Sequence, residues 1–323
     1  MTCYAACFSD QPERFRQVFA RGRWQQLSSL CQLHPRIVTQ KTLAEELPLL
    51  SRVEVIFSSW GMFTLSPQNL DSLPNLKAVF YAAGTTDYFS SSLLSRGITV
   101  VSAWRANAVP VAEFCLAQIL LACKGYFQNH REYCSTAMLD ILSSHSLAFG
   151  AYGERVALLG AGAISQTLAG FLQPFSLDVV TVPSRPERRT VSLEEAFETA
   201  FVISNHLPNR YDNVGVLDGS LFRRMRPGAV FINTGRGLQV NEADLIDVFT
   251  ERSELTALLD VTKPEPPIEG SPLYRLPNIH LSSHIAGALN HETQRLADCV
   301  LGEFKRWLNG DVLCHQVNKV VTD

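Results

Sequence analysis

The sequence predicts an α/β protein built from two doubly wound bodies, each around a parallel sheet. Three observations carry that prediction. Short apolar runs alternate with helical patterns in the first third of the chain, and the alternation restarts at Arg155; alternation of this kind marks parallel strands joined by crossover helices. The restart opens on Glu154-Arg155-Val156-Ala157-Leu158-Leu159-Gly160-Ala161-Gly162-Ala163-Ile164-Ser165, an apolar run that passes through two glycines into a helical pattern. The chain has 323 residues, enough for two domains of ordinary size.

In the first body, residues 12–34 have helical spacing, with Phe15, Val18, Phe19, Leu27 and Leu30 on one side. Residues 53–57, 76–81 and 98–101 read as strands. The first two end in Ser58-Ser59-Trp60-Gly61 and Ala82-Ala83-Gly84-Thr85-Thr86-Asp87. Ligands of parallel sheets bind beyond the carboxyl ends of the strands, so Ser59, Trp60, Ala83, Gly84 and Thr85 mark a binding edge. A helix follows, with Asn107 as its expected N-cap and Pro110 in its first turn. It is apolar around most of its circumference through Ala122, as a helix buried between two bodies would be. Residues 125–153 are polar and irregular and receive no element.

In the second body, residues 155–159 form a strand buried on both faces. Gly160 and Gly162 permit a tight turn, and the helix opening at Ala163 and Ile164 presents unpaired N–H groups and a partial positive charge. That geometry suits a pyrophosphate; a plain strand-to-helix turn is the alternative. Ser165 stands where G-x-G-x-x-G has its third glycine. Further strands are expected over residues 178–182, 201–204, 229–233, 255–260 and 279–283, which makes six. Helices are expected over residues 241–250 and 290–309. The strand over 201–204 leads into Asn205-His206-Leu207-Pro208, and His206, Leu207 and Pro208 join the expected cofactor edge.

Composition narrows the function. The chain is 46% hydrophobic and 18% charged with a net charge of −3, so no broad basic field invites nucleic acid or an acidic membrane surface. No apolar run is expected to reach the roughly 18 residues of a membrane span, and residues 1–10 lack the form of a signal peptide. A cytoplasmic location is expected. The eight cysteines are scattered without a C-x-x-C pair, which favours buried thiols over disulfides or metal ligands, and no metal is expected. No regulatory segment follows residue 323, so control through one is not expected.

Three strand ends of the second body carry chemistry. Asn233-Thr234-Gly235-Arg236-Gly237 sets an arginine between glycines, where its fork can reach a carboxylate or keto acid. Asp260-Val261-Thr262-Lys263-Pro264-Glu265-Pro266-Pro267 holds a glutamate between prolines. Ser283-His284-Ile285-Ala286-Gly287 offers a histidine for proton transfer near neutral pH. Taken singly, each has a bland reading: a surface arginine, a loop carboxylate, a structural histidine.

With these pieces in order, the sequence resembles the D-isomer-specific 2-hydroxyacid dehydrogenases. The resemblance rests on Gly160-Ala161-Gly162, the block from Arg226-Pro227-Gly228 through Asn233-Thr234-Gly235-Arg236-Gly237, Leu259-Asp260-Val261 with Glu265-Pro266, and His284-Ile285-Ala286-Gly287. Ala83-Gly84 with Asp87, and Asn107-Ala108 before Val111-Ala112-Glu113, match more weakly. It implies a nucleotide domain, residues 106–289, inserted into a flavodoxin-like substrate domain, residues 1–105 and 290–323. It also implies an NAD(P)-dependent exchange of a 2-keto acid and a D-2-hydroxy acid. Arg236 would bind the substrate carboxylate and keto oxygen, His284 would donate or accept the proton, and Glu265 would orient His284. Asp260 would hold the nicotinamide carboxamide, with Thr234, Gly235, Arg236, His284 and Gly287 also beside the cofactor. Ala83, Gly84 and Thr85 would cradle the substrate carboxylate; the family usually has glycine where Thr85 stands. The family's nucleotide domains commonly pair through the helix over residues 110–122, which implies a homodimer. Two other readings are a corepressor-type protein that senses the cofactor without turnover, and a formate dehydrogenase; the latter group carries glutamine as its histidine partner, and Glu265 argues against it.

The last expectation is NADP(H) over NAD(H). An NAD site usually carries an acid at the end of its second strand for the ribose 2′-hydroxyl. Here that strand ends in Pro183-Ser184-Arg185-Pro186, with Arg188 and Arg189 close behind. Ser184 and Arg185 suit a 2′-phosphate. A solvated loop indifferent to the cofactor is the alternative.

Overall fold

The structure is a computed structural model and describes residues 3–132 and 150–317. It divides into two units, one made of Met1–Asn107 and Ala288–Asp323, the other of Ala108–Gly287.

The first unit holds a five-stranded sheet of β1 (Tyr4–Phe8), β2 (Gln32–Val38), β3 (Val55–Ser58), β4 (Ala78–Tyr81) and β5 (Thr99–Ser102). Their order is β2-β1-β3-β4-β5, parallel throughout, the flavodoxin-like arrangement. Side chains alternate with the pleat. Ala5, Cys7, Val55, Phe57, Ala78 and Phe80 pack with Phe15, Phe19 and Leu27 and with Leu296, Val300 and Phe304 of the Thr293–Asn309 helix. Ala6, Phe8, Ile56, Val79 and Val100 face the opposite way, onto Leu43, Leu70 and Leu93. Both faces are covered, as a parallel sheet requires.

This unit corrects two expectations. Residues 12–34 are not one helix: helices Pro12–Val18 and Arg23–Leu30 are separated by Arg21 and Gly22, both at positive φ, and the chain enters β2 at Gln32. β1 and β2 themselves had no counterpart in the sequence reading. Cys3, Cys7 and Cys31 are buried, but Cys299 is only half-buried and Cys314 is exposed; Cys134 lies outside the described residues.

The second unit holds β6 (Arg155–Leu159), β7 (Asp178–Val182), β8 (Val202–Asn205), β9 (Val230–Asn233), β10 (Thr256–Leu259) and β11 (Ile279–Leu281). The order is β7-β6-β8-β9-β10-β11, again parallel. From β6 the chain steps outward to β7, then crosses to β8 on the other side. The crevice between the ends of β6 and β8 is therefore the switch point, where such sheets take ligands.

The chain passes from the first unit to the second along the Trp104–Cys123 helix. Asn107 is not its N-cap, and Pro110 lies in its interior: the helix starts at Trp104, and the Asn107 N–H already donates to Ala103 O at 3.0 Å. By length and composition, with a mean hydropathy of 1.6, this helix meets the requirement for a membrane span, contrary to expectation. Val111, Ala112, Cys115, Ile119, Ala122 and Cys123 join the core of the second unit, as they would in any core helix. Within the stretch left unassigned, Tyr126–Glu132 is helical; residues 133–149 lie outside the described residues.

Candidate active site

The switch point is built by close approach. Gly160 has φ +99°, and a Cβ there would lie 2.5 Å from the carbonyl oxygen of His206, so only glycine fits. Gly160 N–H donates to Val182 O at 2.7 Å and His206 N–H to Leu159 O at 2.8 Å, which draws the ends of β6, β7 and β8 together. A Cβ on Gly162 would meet nothing within 4 Å, and no side chain caps the Ala163–Leu172 helix that follows. Open space before uncapped helical N–H groups fits a pyrophosphate. Ser165 is buried in that first turn, small enough for the helix to lie close on the sheet.

After β7, Arg189 folds back on the turn. Its guanidinium donates to Pro183 O at 2.9 Å and Ser184 O at 2.8 Å. Ser184 is half-buried, and Arg185 is exposed on the rim.

After β8, a buried amide network locks the loops. Asn205 Nδ2 donates to Asn233 Oδ1 at 2.9 Å and to Gln239 Oε1 at 2.7 Å. Gln239 Nε2 donates to Leu207 O at 2.7 Å and Pro208 O at 3.0 Å. Gln239 Oε1 also accepts from Arg236 N–H at 3.1 Å, and Asn233 Oδ1 from Gly235 N–H at 3.1 Å. The Arg236 loop is thus held by side chains from two strand ends and a short helix, and Arg236 Nη1 donates to Gly235 O at 2.7 Å. His206 is buried between Ser204 Oγ at 2.9 Å and Thr234 Oγ1 at 3.3 Å. Burial pushes its pKa down to about 3, so its ring is neutral.

His284 and Glu265 meet directly, with Nδ1 and Oε1 2.7 Å apart and both side chains about half exposed (50% and 43%). His284 has φ +57°, a left-handed conformation that a non-glycine residue keeps only when its surroundings enforce it. Asp260 enforces it. The Asp260 carbonyl accepts from His284 N–H at 3.0 Å; Oδ1 accepts from Ile285 N–H at 2.9 Å and Ser282 Oγ at 2.6 Å; Oδ2 accepts from Ala286 N–H at 3.0 Å. The buried Asp260 carboxylate is therefore the anchor of the histidine loop. Arg236, Glu265, His284 and Asp260 all belong to the second unit.

In the first unit, Ser59, Trp60, Ala83, Gly84 and Thr85 lie at the ends of β3 and β4, which are neighbours. Ser102 Oγ donates to the carbonyls of Ala83 and Gly84 and fixes that loop. The Ser59 hydroxyl is buried and makes no hydrogen bond among the described residues.

Residues 116–286, just over half of the chain and all within the second unit, match the model of the D-isomer specific 2-hydroxyacid dehydrogenase NAD-binding domain. The chain belongs to this family. Among curated relatives, YoaD of Bacillus subtilis, named as a 2-hydroxyacid dehydrogenase, is 28% identical over 76% of each chain. The D-3-phosphoglycerate dehydrogenase of Mycobacterium bovis is 27% identical over 79% of this chain, which spans only about half (49%) of that longer protein. Among solved structures, the apo D-mandelate dehydrogenase of Rhodotorula graminis superposes with a TM-score of 0.80 over 99% of both chains, at 19% identity, a likeness of fold.

Within this 2-hydroxyacid dehydrogenase frame, sequence reasoning missed three groups. Asn205 and Gln239 are ordinary polar residues until the β8 and β9 loops meet. Asp260 was assigned to the cofactor, with no hint that both its oxygens hold the His284 loop. No sequence signal marks either role; both need the strand order.

Proposed function

We propose that this protein is an NAD(P)H-dependent oxidoreductase that interconverts a 2-keto acid and a D-2-hydroxy acid. The observation that carries the reading is the His284–Glu265 pair at the same sheet edge as Arg236. Arg236 grips the substrate carboxylate and faces the keto oxygen, where negative charge develops. His284, engaged by Glu265 through Nδ1, uses Nε2 to protonate that oxygen during reduction and to take the proton during oxidation. Glu265 fixes the ring orientation. Gly160, Gly162 and the Ala163 helix terminus hold the cofactor pyrophosphate; His206, Leu207, Pro208, Thr234 and Asp260 line its remainder. A bound nicotinamide supplies the hydride. Within the first unit, Ala83, Gly84 and Thr85 are the candidate cradle for a carboxylate.

NADP(H) is the preferred cofactor, because Arg185 and Ser184 stand where an NAD site carries an acid. The protein is a homodimer through the Trp104–Cys123 helix, whose Leu121 is 41% exposed; light scattering that returns only the 35.8 kDa monomer at micromolar concentration rules this out.

Steady-state assays with glyoxylate, hydroxypyruvate, phosphohydroxypyruvate and branched 2-keto acids test the activity. Cofactor binding with no turnover of any of them would favour a cofactor-sensing role instead.

A further inference from the structure

Arg14 carries a positive charge at the first unit's binding edge that the catalytic reading leaves unused. It follows β1 in the Pro12–Val18 helix, and its guanidinium lies 4.1 Å from the centre of the Trp60 ring. The stack stands on a fixed base. Ser9 Oγ donates to Trp60 O at 2.9 Å, Asp10 N–H to Gly61 O at 2.8 Å, and Gln11 N–H to Ser9 Oγ at 3.0 Å, so the loops after β1 and β3 are tied side by side. Gly61 has φ +91°, and a Cβ there would lie 2.8 Å from Gln11 N, so the contact requires glycine.

Arg14 has no counter-ion among the described residues. The nearby acids are committed elsewhere: Glu13 pairs with Arg16 at 2.8 Å, and Asp10 Oδ1 accepts from Gln40 N–H at 2.7 Å. Its one side-chain hydrogen bond, to Gln11 Oε1, is a long 3.5 Å. With Gln17, Leu289, Asn290 and Thr293 it lines a cavity of about 310 Å³. Its charge also acts on the buried Tyr81, whose hydroxyl lies 3.1 Å from that of Tyr88. An arginine held against an aromatic face with no carboxylate of its own is equipped to take an anion from a ligand.

The strand order says which ligand. β1, β3 and β4 are consecutive, so their ends are two strand spacings apart, about 10 Å; Arg14 follows the first of them and the Ala83–Gly84–Thr85 loop the last. We propose that Arg14 is a specificity-determining residue that binds a second anionic group at the far end of the 2-keto acid. The inference rests on the 2-keto acid reading above and names its substrate class: keto acids carrying a second carboxylate or a phosphate.

The test compares kcat/KM for dianionic substrates (oxaloacetate, 2-oxoglutarate, phosphohydroxypyruvate) with that for pyruvate and hydroxypyruvate, in the parent, Arg14→Gln and Arg14→Lys. The parent prefers at least one dianionic substrate. Arg14→Gln lowers kcat/KM for it by about 10- to 100-fold, the scale of one charged hydrogen bond, chiefly through KM. Monoanionic substrates change little, and Arg14→Lys recovers part of the loss. Loss for the phosphorylated substrate alone or for the dicarboxylates alone identifies which acid is bound. A structural role for Arg14 would lower all substrates together; an unchanged ratio between the classes overturns the proposal while leaving the activity intact. If no 2-keto acid is turned over, the activity reading fails, and binding decides this one: 2-oxoglutarate and phosphohydroxypyruvate must raise the melting temperature of the parent more than that of Arg14→Gln, and equal shifts overturn it.

Discussion

The carboxyl edges of the two sheets are held in different ways. In the second unit the loops are locked by buried polar side chains: Asn205, Asn233 and Gln239 bind one another across strand ends, and Asp260 spends both oxygens on the His284 loop. In the first unit the strand ends are held by serine hydroxyls on backbone carbonyls, Ser9 to Trp60, Ser58 to Phe8 and Ser102 to Ala83. Of the larger side chains there, Arg14 and Tyr88 are exposed, and Trp60 is half-buried against the core. A buried amide or carboxylate network tolerates little rearrangement, because each broken partner leaves an unsatisfied group. On the proposed function, the second edge carries one fixed chemistry and the first a choice of substrate.

The sharpest way to break this division is His284→Ala. If His284 is the general acid proposed above, kcat falls by at least about 100-fold. Cofactor affinity, measured by fluorescence titration, should stay within a few-fold, since the Gly160 turn and the amide network are untouched. Near-normal turnover would remove His284 from the mechanism, and with it the claim that the second edge holds the chemistry.

A second effect tests how dry the locked edge is. His206 is buried with Ser204 and Thr234 at its ring nitrogens, and its folded pKa lies near 3, below the ordinary histidine value of about 6.5. The unfolded chain takes up a proton below pH 6.5 and the folded chain does not, so stability falls as pH drops from 6.5 toward 3. Between pH 7 and pH 5 this one residue costs about 2 kcal/mol. Urea unfolding at the two pH values, in the parent and in His206→Gln, should show a smaller acid loss in the variant. Equal losses would mean that His206 protonates in the folded state and that the edge is wetter than its burial indicates.

The same contrast explains what the sequence made legible. β6 could be read because a run buried on both faces passes straight into Gly160 and Gly162. Arg236, Glu265 and His284 could be read because each follows an apolar strand. β2 could not: it is an edge strand containing Pro35, exposed at Gln32, Pro35 and Arg36, and its register with β1 shifts between Ala5 and Cys7 to accommodate the extra residues. The paired β1 is only five residues long. The break at Arg21-Gly22 was hidden because the hydrophobic spacing continues across it. Arg14 looked like one more charge on a helix, since its meaning depends on Trp60, which lies far along the chain.

The smallest predicted effect lies on the rim of the locked edge, in the turn proposed to read the cofactor's ribose. Arg189 is committed to the carbonyls of Pro183 and Ser184, and Arg210 to Asp212 through two hydrogen bonds. The Arg185 side chain makes no hydrogen bond among the described residues, while its carbonyl accepts from Arg188 N–H at 3.1 Å. Its charge nonetheless reaches Asp212, whose carboxyl is held below the ordinary range mainly by the Arg210 hydrogen bond and, to a lesser extent, by Arg185. On the proposed NADP(H) reading, Arg185 would exchange this weak influence of a rim acid for a 2′-phosphate, the more strongly charged partner. Arg185→Ala should lower kcat/KM for NADPH by about tenfold and leave that for NADH nearly unchanged, as expected for one charged contact at an exposed site. Because the site is open to solvent, added salt should shrink the parent's preference for NADPH. A parent that prefers NADH, or a variant that uses NADPH as well as the parent does, would show that this turn does not read the phosphate.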